Sequence, residues 1–123
     1  MAAVFPQFQH RPAGAGAVRW RGTLQPTQES AHYTVEILHE VWRHPRVWVT
    51  RPALVSNPPH VYAGNALCLY YPPDWRWRPG SSLADTIVPW TAFWLYFYEL
   101  WLVTGEWLGP SSPHDSAEAK EEE

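Results

Sequence analysis

Cys68 is the only cysteine in the chain, so any thiol chemistry must run through it. A thiolate is a strong nucleophile, and acyl transfer through a thioester asks two things of its surroundings. The sulfur must be reachable by a large acyl donor, and hydrogen-bond donors must face the carbonyl oxygen that becomes negative. His60 stands eight residues before Cys68, in the segment NPPHVYAGNALCLYYP that runs from 57 to 72. If the intervening loop folds back, its imidazole could serve the oxyanion, or it could deprotonate the thiol or the attacking amine. Plainer readings stay open beside these. A cysteine between two leucines is also a small buried hydrophobe, and a histidine here could simply brace its own loop. Tyr62 reads as a packing residue and His114 as a surface histidine. His32, His39 and His44 do not make a metal site, because His32 and His39, seven apart, would face opposite sides of a strand.

The elements that must position these groups show in the hydrophobic pattern. Residues 18–24 alternate, with Val18, Trp20 and Leu24 on one side and Arg19, Arg21 and Thr23 on the other, as a half-buried strand requires. The run 32–39 repeats the form, setting Tyr33, Val35 and Ile37 against His32, Thr34 and Glu36. So does 46–51, where Val47 and Val49 oppose Arg46, Trp48 and Thr50. Short connections carrying Pro26, Ser30 and Pro45 suit neighbouring antiparallel strands. Pro52, Pro58 and Pro59 make 52–67 an irregular, braced loop, which delivers Cys68.

One helix is expected, from about Pro89 to Thr104, with Pro89 acceptable in its first turn and Gly105 placed to end it. PWTAFWLYFYELWLVT is apolar on nearly every side, so it must be buried in protein or in lipid. Length argues for protein: about 16 residues at ~1.5 Å each reach ~24 Å, short of the ~30 Å hydrocarbon core. Glu99 would add about 3 kcal/mol near the centre of a membrane span. The helix is therefore expected as a core element packed across a small sheet.

At 123 residues the chain fits one domain with its own core. A lone cysteine suits a reducing compartment, and the N-terminus shows no basic region followed by an apolar run, so a cytoplasmic location is expected. Nine basic against twelve acidic residues give no electrostatic case for nucleic acid. Residues 1–17, with Pro6, Pro12, Gly14 and Gly16, read as an extended N-terminal arm. Residues 115–123 read as a disordered acidic tail, which leaves 18–114 as the folded domain that would hold any catalytic site.

The segment around Cys68 resembles the active site of ubiquitin-conjugating enzymes, where a His-Pro-Asn triplet precedes a catalytic cysteine followed by leucine. Pro59 matches the proline of the triplet, Tyr62 a frequent tyrosine, and Leu67-Cys68-Leu69 the core around the nucleophile. Two positions depart: Pro58 stands for the histidine of the triplet, and His60 for its asparagine. Trp75 and Trp77 bracket the place of a tryptophan usual in the family, and Trp77-Arg78-Pro79 looks like its Trp-Ser-Pro. The resemblance covers roughly 18–109. It is closer still to the compact bacterial members of CBASS antiphage operons (cyclic-oligonucleotide-based antiphage signalling), of the short type II kind. Those members look like His-x-Tyr, Leu-Cys-Leu-Tyr-Tyr-Pro, an aromatic helix, Gly-x-Trp-x-Gly-Pro and a later Pro-His. Here the corresponding residues are His60 to Tyr62, Leu67 to Pro72, Gly105 to Pro110 and Pro113-His114.

The resemblance implies an α+β fold, an antiparallel meander of about four strands on a buried aromatic helix, with the usual N-terminal helix reduced or missing. It implies a thioester on Cys68 with the C-terminus of a cGAS-like nucleotidyltransferase, passed to an amine acceptor on a protein, with His60 as the second catalytic candidate. No cofactor, metal, nucleic acid or membrane is called for. The arm of prolines and glycines is a poor substitute for the helix that recruits a standard activating enzyme. A dedicated activator, or direct action on the partner, is expected instead. A non-catalytic binding module of the same fold and a membrane-associated protein are the alternatives.

Overall fold

The computed structural model of the chain describes residues 5–14, 16–40, 44–56, 58–69 and 83–109. Asn57, the Tyr-Tyr-Pro that follows Leu69, Trp75, Trp77, Pro110, Pro113-His114 and the acidic tail lie outside the described residues. Four strands form one antiparallel sheet in sequence order: β1 (Gln9–Pro12), β2 (Ala17–Leu24), β3 (Tyr33–Glu40) and β4 (Arg46–Arg51). A π-helical turn, Leu83–Ile87, then leads into α1 (Val88–Thr104). The architecture is the expected α+β meander with one aromatic helix.

The three alternating runs form β2, β3 and β4, and their apolar sides bury. Tyr33, Val35 and Ile37 are almost fully enclosed, as are Leu24 and Val47. They join Leu67, Ile87, Val88, Trp94, Leu95 and Tyr98 in one core between the sheet and the helix. The other side of the sheet is polar, with Arg19 bonded across the strands to Glu36 at 3.0 Å, a surface pair worth well under about 1 kcal/mol. Between β3 and β4 the register slips by one residue, Thr34 facing Arg51 while Val35 faces Val49. That bulge leaves Thr50 over and adds twist where β4 hands the chain to the loop.

Strand β1 lies within the segment read as an arm. Its four residues pair with β2 from Gln9 opposite Arg21 to Pro12 opposite Val18, and all four are exposed. What fixes its entry is Phe8, 2 % exposed, whose ring lies flat against Gly22 of β2. A Cβ on Gly22 would meet that ring at 2.6 Å, so only glycine admits it.

Helix α1 starts one residue before Pro89 and ends as expected. Gly105 takes φ 78°, and its amide donates to the Trp101 carbonyl at 2.8 Å. The helix packs across the sheet as expected, and although it is apolar on nearly every side it buries only one of them. Val88, Thr91, Trp94, Leu95 and Tyr98 bury against the sheet, while Phe93, Tyr96, Leu102 and Val103 are exposed. A single sheet covers only one side of a cylinder, and among the described residues no second layer covers the other. No helix among the described residues is long and apolar enough to cross a membrane.

Glu99, the one charge in α1, clamps the helix to the sheet. Its carboxylate accepts from Ser30 Oγ at 2.6 Å and from Tyr33 Oη at 2.8 Å. Ser30 is itself held in its turn by Thr27, its hydroxyl 2.7 Å from Thr27 Oγ1. Burial pushes the Tyr33 phenol well above its ordinary value of 10.0, and the hydrogen bond to Glu99 and the charge of Glu99 push it further. Because the folded chain holds this proton more tightly than the unfolded chain does, the contribution to stability is complete below about pH 10 and declines above it. Between about pH 9 and pH 11 the urea midpoint of the wild type should fall, and in Tyr33→Phe that fall should be shallower. Parallel declines would show that Tyr33 does not carry the alkaline loss.

Candidate functional site

After β4 the chain builds a tight hairpin that ends on Cys68. Val61 and Leu67 form an isolated antiparallel bridge, and Tyr62 N–H donates to the Ala66 carbonyl at 2.8 Å. Asn65 N–H closes the 3₁₀ turn Ala63–Asn65 on the Tyr62 carbonyl at 3.0 Å. Gly64 (φ 83°) and Asn65 (φ 67°) supply the left-handed backbone that the reversal needs, as these two residue types readily do. The hairpin is pinned to β4 at two points. Leu67 N–H donates to the Val47 carbonyl at 2.8 Å, and Trp48 Nε1 donates to the Gly64 carbonyl at 3.1 Å.

His60 joins this hairpin to the helix. Its carbonyl accepts the Cys68 amide at 2.9 Å and the Trp94 indole Nε1 at 3.0 Å. His60 itself adopts φ 60°, a left-handed conformation that costs most residues about 1 kcal/mol or more. Its imidazole lies on the Trp107 ring, with centroids 4.4 Å apart and planes tilted by 31°. Trp107 reaches this place because the chain turns back after Gly105 and packs on α1, 5.6 Å from Trp94 and 6.2 Å from Phe97 between ring centroids. Gly109 lies so close to Phe97 that a Cβ there would meet the ring at 2.6 Å, so the returning segment is fitted to the helix.

These residues enclose a cleft of about 460 Å³. Cys68, His60 and Leu69 line one part, and Trp90, Phe93, Trp94, Phe97 and Trp107 line the rest. Cys68 is 8 % exposed, and its thiol donates to Tyr62 Oη across 3.4 Å, a weak hydrogen bond of the kind sulfur makes. Chemically, the arrangement sets a thiol beside a phenol, on a mostly aromatic cleft that His60 also lines.

The structure thus brings His60 and Cys68 together, through a backbone hydrogen bond and on the wall of one cleft. His114 lies outside the described residues. Tyr62, read from sequence as packing, lies with its hydroxyl 3.4 Å from the sulfur. Trp90, Phe93, Trp94 and Phe97 were not singled out, although their spacing of i, i+3, i+4 and i+7 marks one helix face. Among the described residues no three His, Cys, Asp or Glu side chains are grouped to hold a metal ion.

A search of the curated proteins finds no match to this chain. The family described as type II CBASS E2 protein matches residues 1–115, nearly the whole length. An E2 protein is one of the ubiquitin-conjugating kind, and the match takes in the Cys68 hairpin, the sheet and the helix together. The chain therefore belongs to the type II CBASS E2 family, ubiquitin-conjugating-like proteins of bacterial antiphage defence.

Proposed function

We propose that Cys68 is the nucleophile of a ubiquitin-conjugating-like transferase, which accepts the C-terminus of a cGAS-like nucleotidyltransferase as a thioester and hands it to an amine. The observation that carries this reading is the shared cleft wall: Cys68 and His60 line one cavity, in the hairpin that resembles the active-site segment of ubiquitin-conjugating enzymes. The catalytic unit is drawn at residues 18–114, with β1 from the preceding arm as its edge strand.

The chemistry has two steps. In the first, the Cys68 thiolate attacks an activated carbonyl carbon, a carbon–sulfur bond forms, and the activating group leaves with its electron pair. A free carboxylate is too poor an acyl donor for this, so the acyl group must arrive activated, from a dedicated activator or from the partner itself. In the second, a neutral amine attacks the thioester, loses a proton to a base, and expels the thiolate as the amide forms. His60 supports either as a donor to the oxyanion or as the acceptor of that proton.

Mixing the full chain with the nucleotidyltransferase of the same operon, together with any activator the operon encodes, should give an adduct that dithiothreitol removes. Cys68→Ser should turn it into a reductant-resistant ester or abolish it. An adduct that survives Cys68→Ala would overturn the proposal.

The backbone separates the two roles of His60. Asparagine tolerates a positive φ and is the residue usual at this place in ubiquitin-conjugating enzymes, whereas alanine adds strain. Per folded molecule, His60→Ala should slow transfer by about 100-fold or more. If the imidazole acts as an oxyanion donor, His60→Asn should stay within about ten-fold of wild type. If it acts as a base, the two variants should fall together. Unchanged transfer per folded molecule in His60→Ala, with only stability lost, would remove His60 from the chemistry.

A further inference from the structure

A thiol as enclosed as that of Cys68, 8 % exposed, has little water to stabilise its ionised form. A nucleophile in this place needs a hydrogen-bond donor at the sulfur. Tyr62 Oη is 3.4 Å from it, and the contact is built in by the backbone rather than left to side-chain freedom. The Tyr62 amide is tied to the Ala66 carbonyl, its carbonyl receives the Asn65 amide, and the Val61 to Leu67 bridge sets the two arms of the hairpin side by side. The two side chains therefore meet from adjacent strands of one loop, six residues apart.

We propose that Tyr62 is a positioning residue for the Cys68 sulfur, its phenol accepting from the resting thiol and turning to donate to the thiolate. The proposal rests on the reading of Cys68 as the nucleophile. A phenolic hydroxyl can do both because it is donor and acceptor, and rotation about one C–O bond exchanges the roles. In the change, the thiol proton passes to water and the phenol keeps its own. A bond to the charged sulfur is stronger than one to the neutral thiol, so the contact favours the reactive form and fixes its direction. Phenylalanine at 62 would keep the ring and its packing and remove only the hydroxyl.

With one cysteine in the chain, alkylation by iodoacetamide reports this sulfur alone. The thiolate displaces iodide, so the rate follows ionisation. In native Tyr62→Phe the midpoint of the rate against pH should move up by about one unit, lowering the rate at pH 7 by about ten-fold. The two urea-unfolded chains should react alike. Coincident native profiles would overturn the assignment.

A second measurement leaves Tyr62 in place, should the variant fold poorly. With ring-labelled tyrosine, the Tyr62 Cζ resonance of the wild type should titrate with the alkylation midpoint, and in Cys68→Ala that titration should vanish. A Tyr62 resonance indifferent to the thiol would equally overturn the assignment. Neither measurement needs the acyl donor. A failed adduct assay beside a displaced alkylation profile would sink the transferase reading and leave the thiol–phenol pair standing.

Discussion

A single carbonyl oxygen, that of His60, receives both the amide of Cys68 and the indole of Trp94, and the geometry of the candidate site follows from this shared acceptor. A carbonyl has two lone pairs, so neither bond displaces the other. One donor comes from the end of the cysteine hairpin and the other from the middle of α1, so the Cys68 hairpin is referenced directly to the helix. Both donors lie in largely enclosed surroundings, where an unpaired N–H costs about 1–3 kcal/mol. The left-handed backbone of His60 is what aims its carbonyl at them, and its strain is offset by the bonds it permits.

The helix must in turn be fixed to the sheet, or this reference means nothing. Three hydrogen bonds from two helix residues tie it to the sheet and its loops. Glu99 takes hydroxyls from Ser30 and Tyr33, and Tyr98 Oη accepts the Val55 amide at 3.0 Å from the loop after β4. A bond to a charged acceptor is about twice as strong as a neutral one, and two on one carboxylate set rotation as well as distance. In so apolar a helix, packing alone would leave the choice of buried face weakly determined, since most faces could bury equally well. Glu99 breaks that degeneracy. It puts Trp94, Leu95 and Tyr98 on the sheet and turns Trp90, Phe93 and Phe97 toward the cleft.

Much of this was legible in the sequence, and the parts that were not share a physical cause. Strands β2, β3 and β4 announce themselves through a period of two because each has one wet and one dry side. The helix end was legible in Gly105, where a left-handed residue is needed. Strand β1 carries no such signal, since all four of its residues are exposed and its pairing uses only backbone groups. Glu99 read as a cost to insertion in lipid, and its use as a clamp depends on hydroxyls 66 and 69 residues away. At the site, Cys68 and His60 stood out by residue type and local spacing. The Trp107 ring over His60 could not, because it depends on the chain turning back after the helix. The cleft face of α1 was hidden for the opposite reason: with apolar residues on nearly every side, no single stripe stands out.

Tyr62 and the aromatic cleft wall act on the sulfur in opposite ways, and under the proposed function the two together would suit a group that alternates between two chemical states. Apolar rings disfavour charge, so on their own they would hold Cys68 as an inert thiol. The phenol gives the sulfur a polar contact. In the proposed transferase the sulfur would become neutral on taking an acyl group, and the balance would reverse. There the rings of Trp90, Phe93, Trp94, Phe97 and Trp107 would hinder water, the competitor that hydrolyses a thioester. A site with polar walls would favour the thiolate and shorten the life of its acylated form. A polar neighbour at the sulfur and a mostly aromatic cleft beyond it would serve both states.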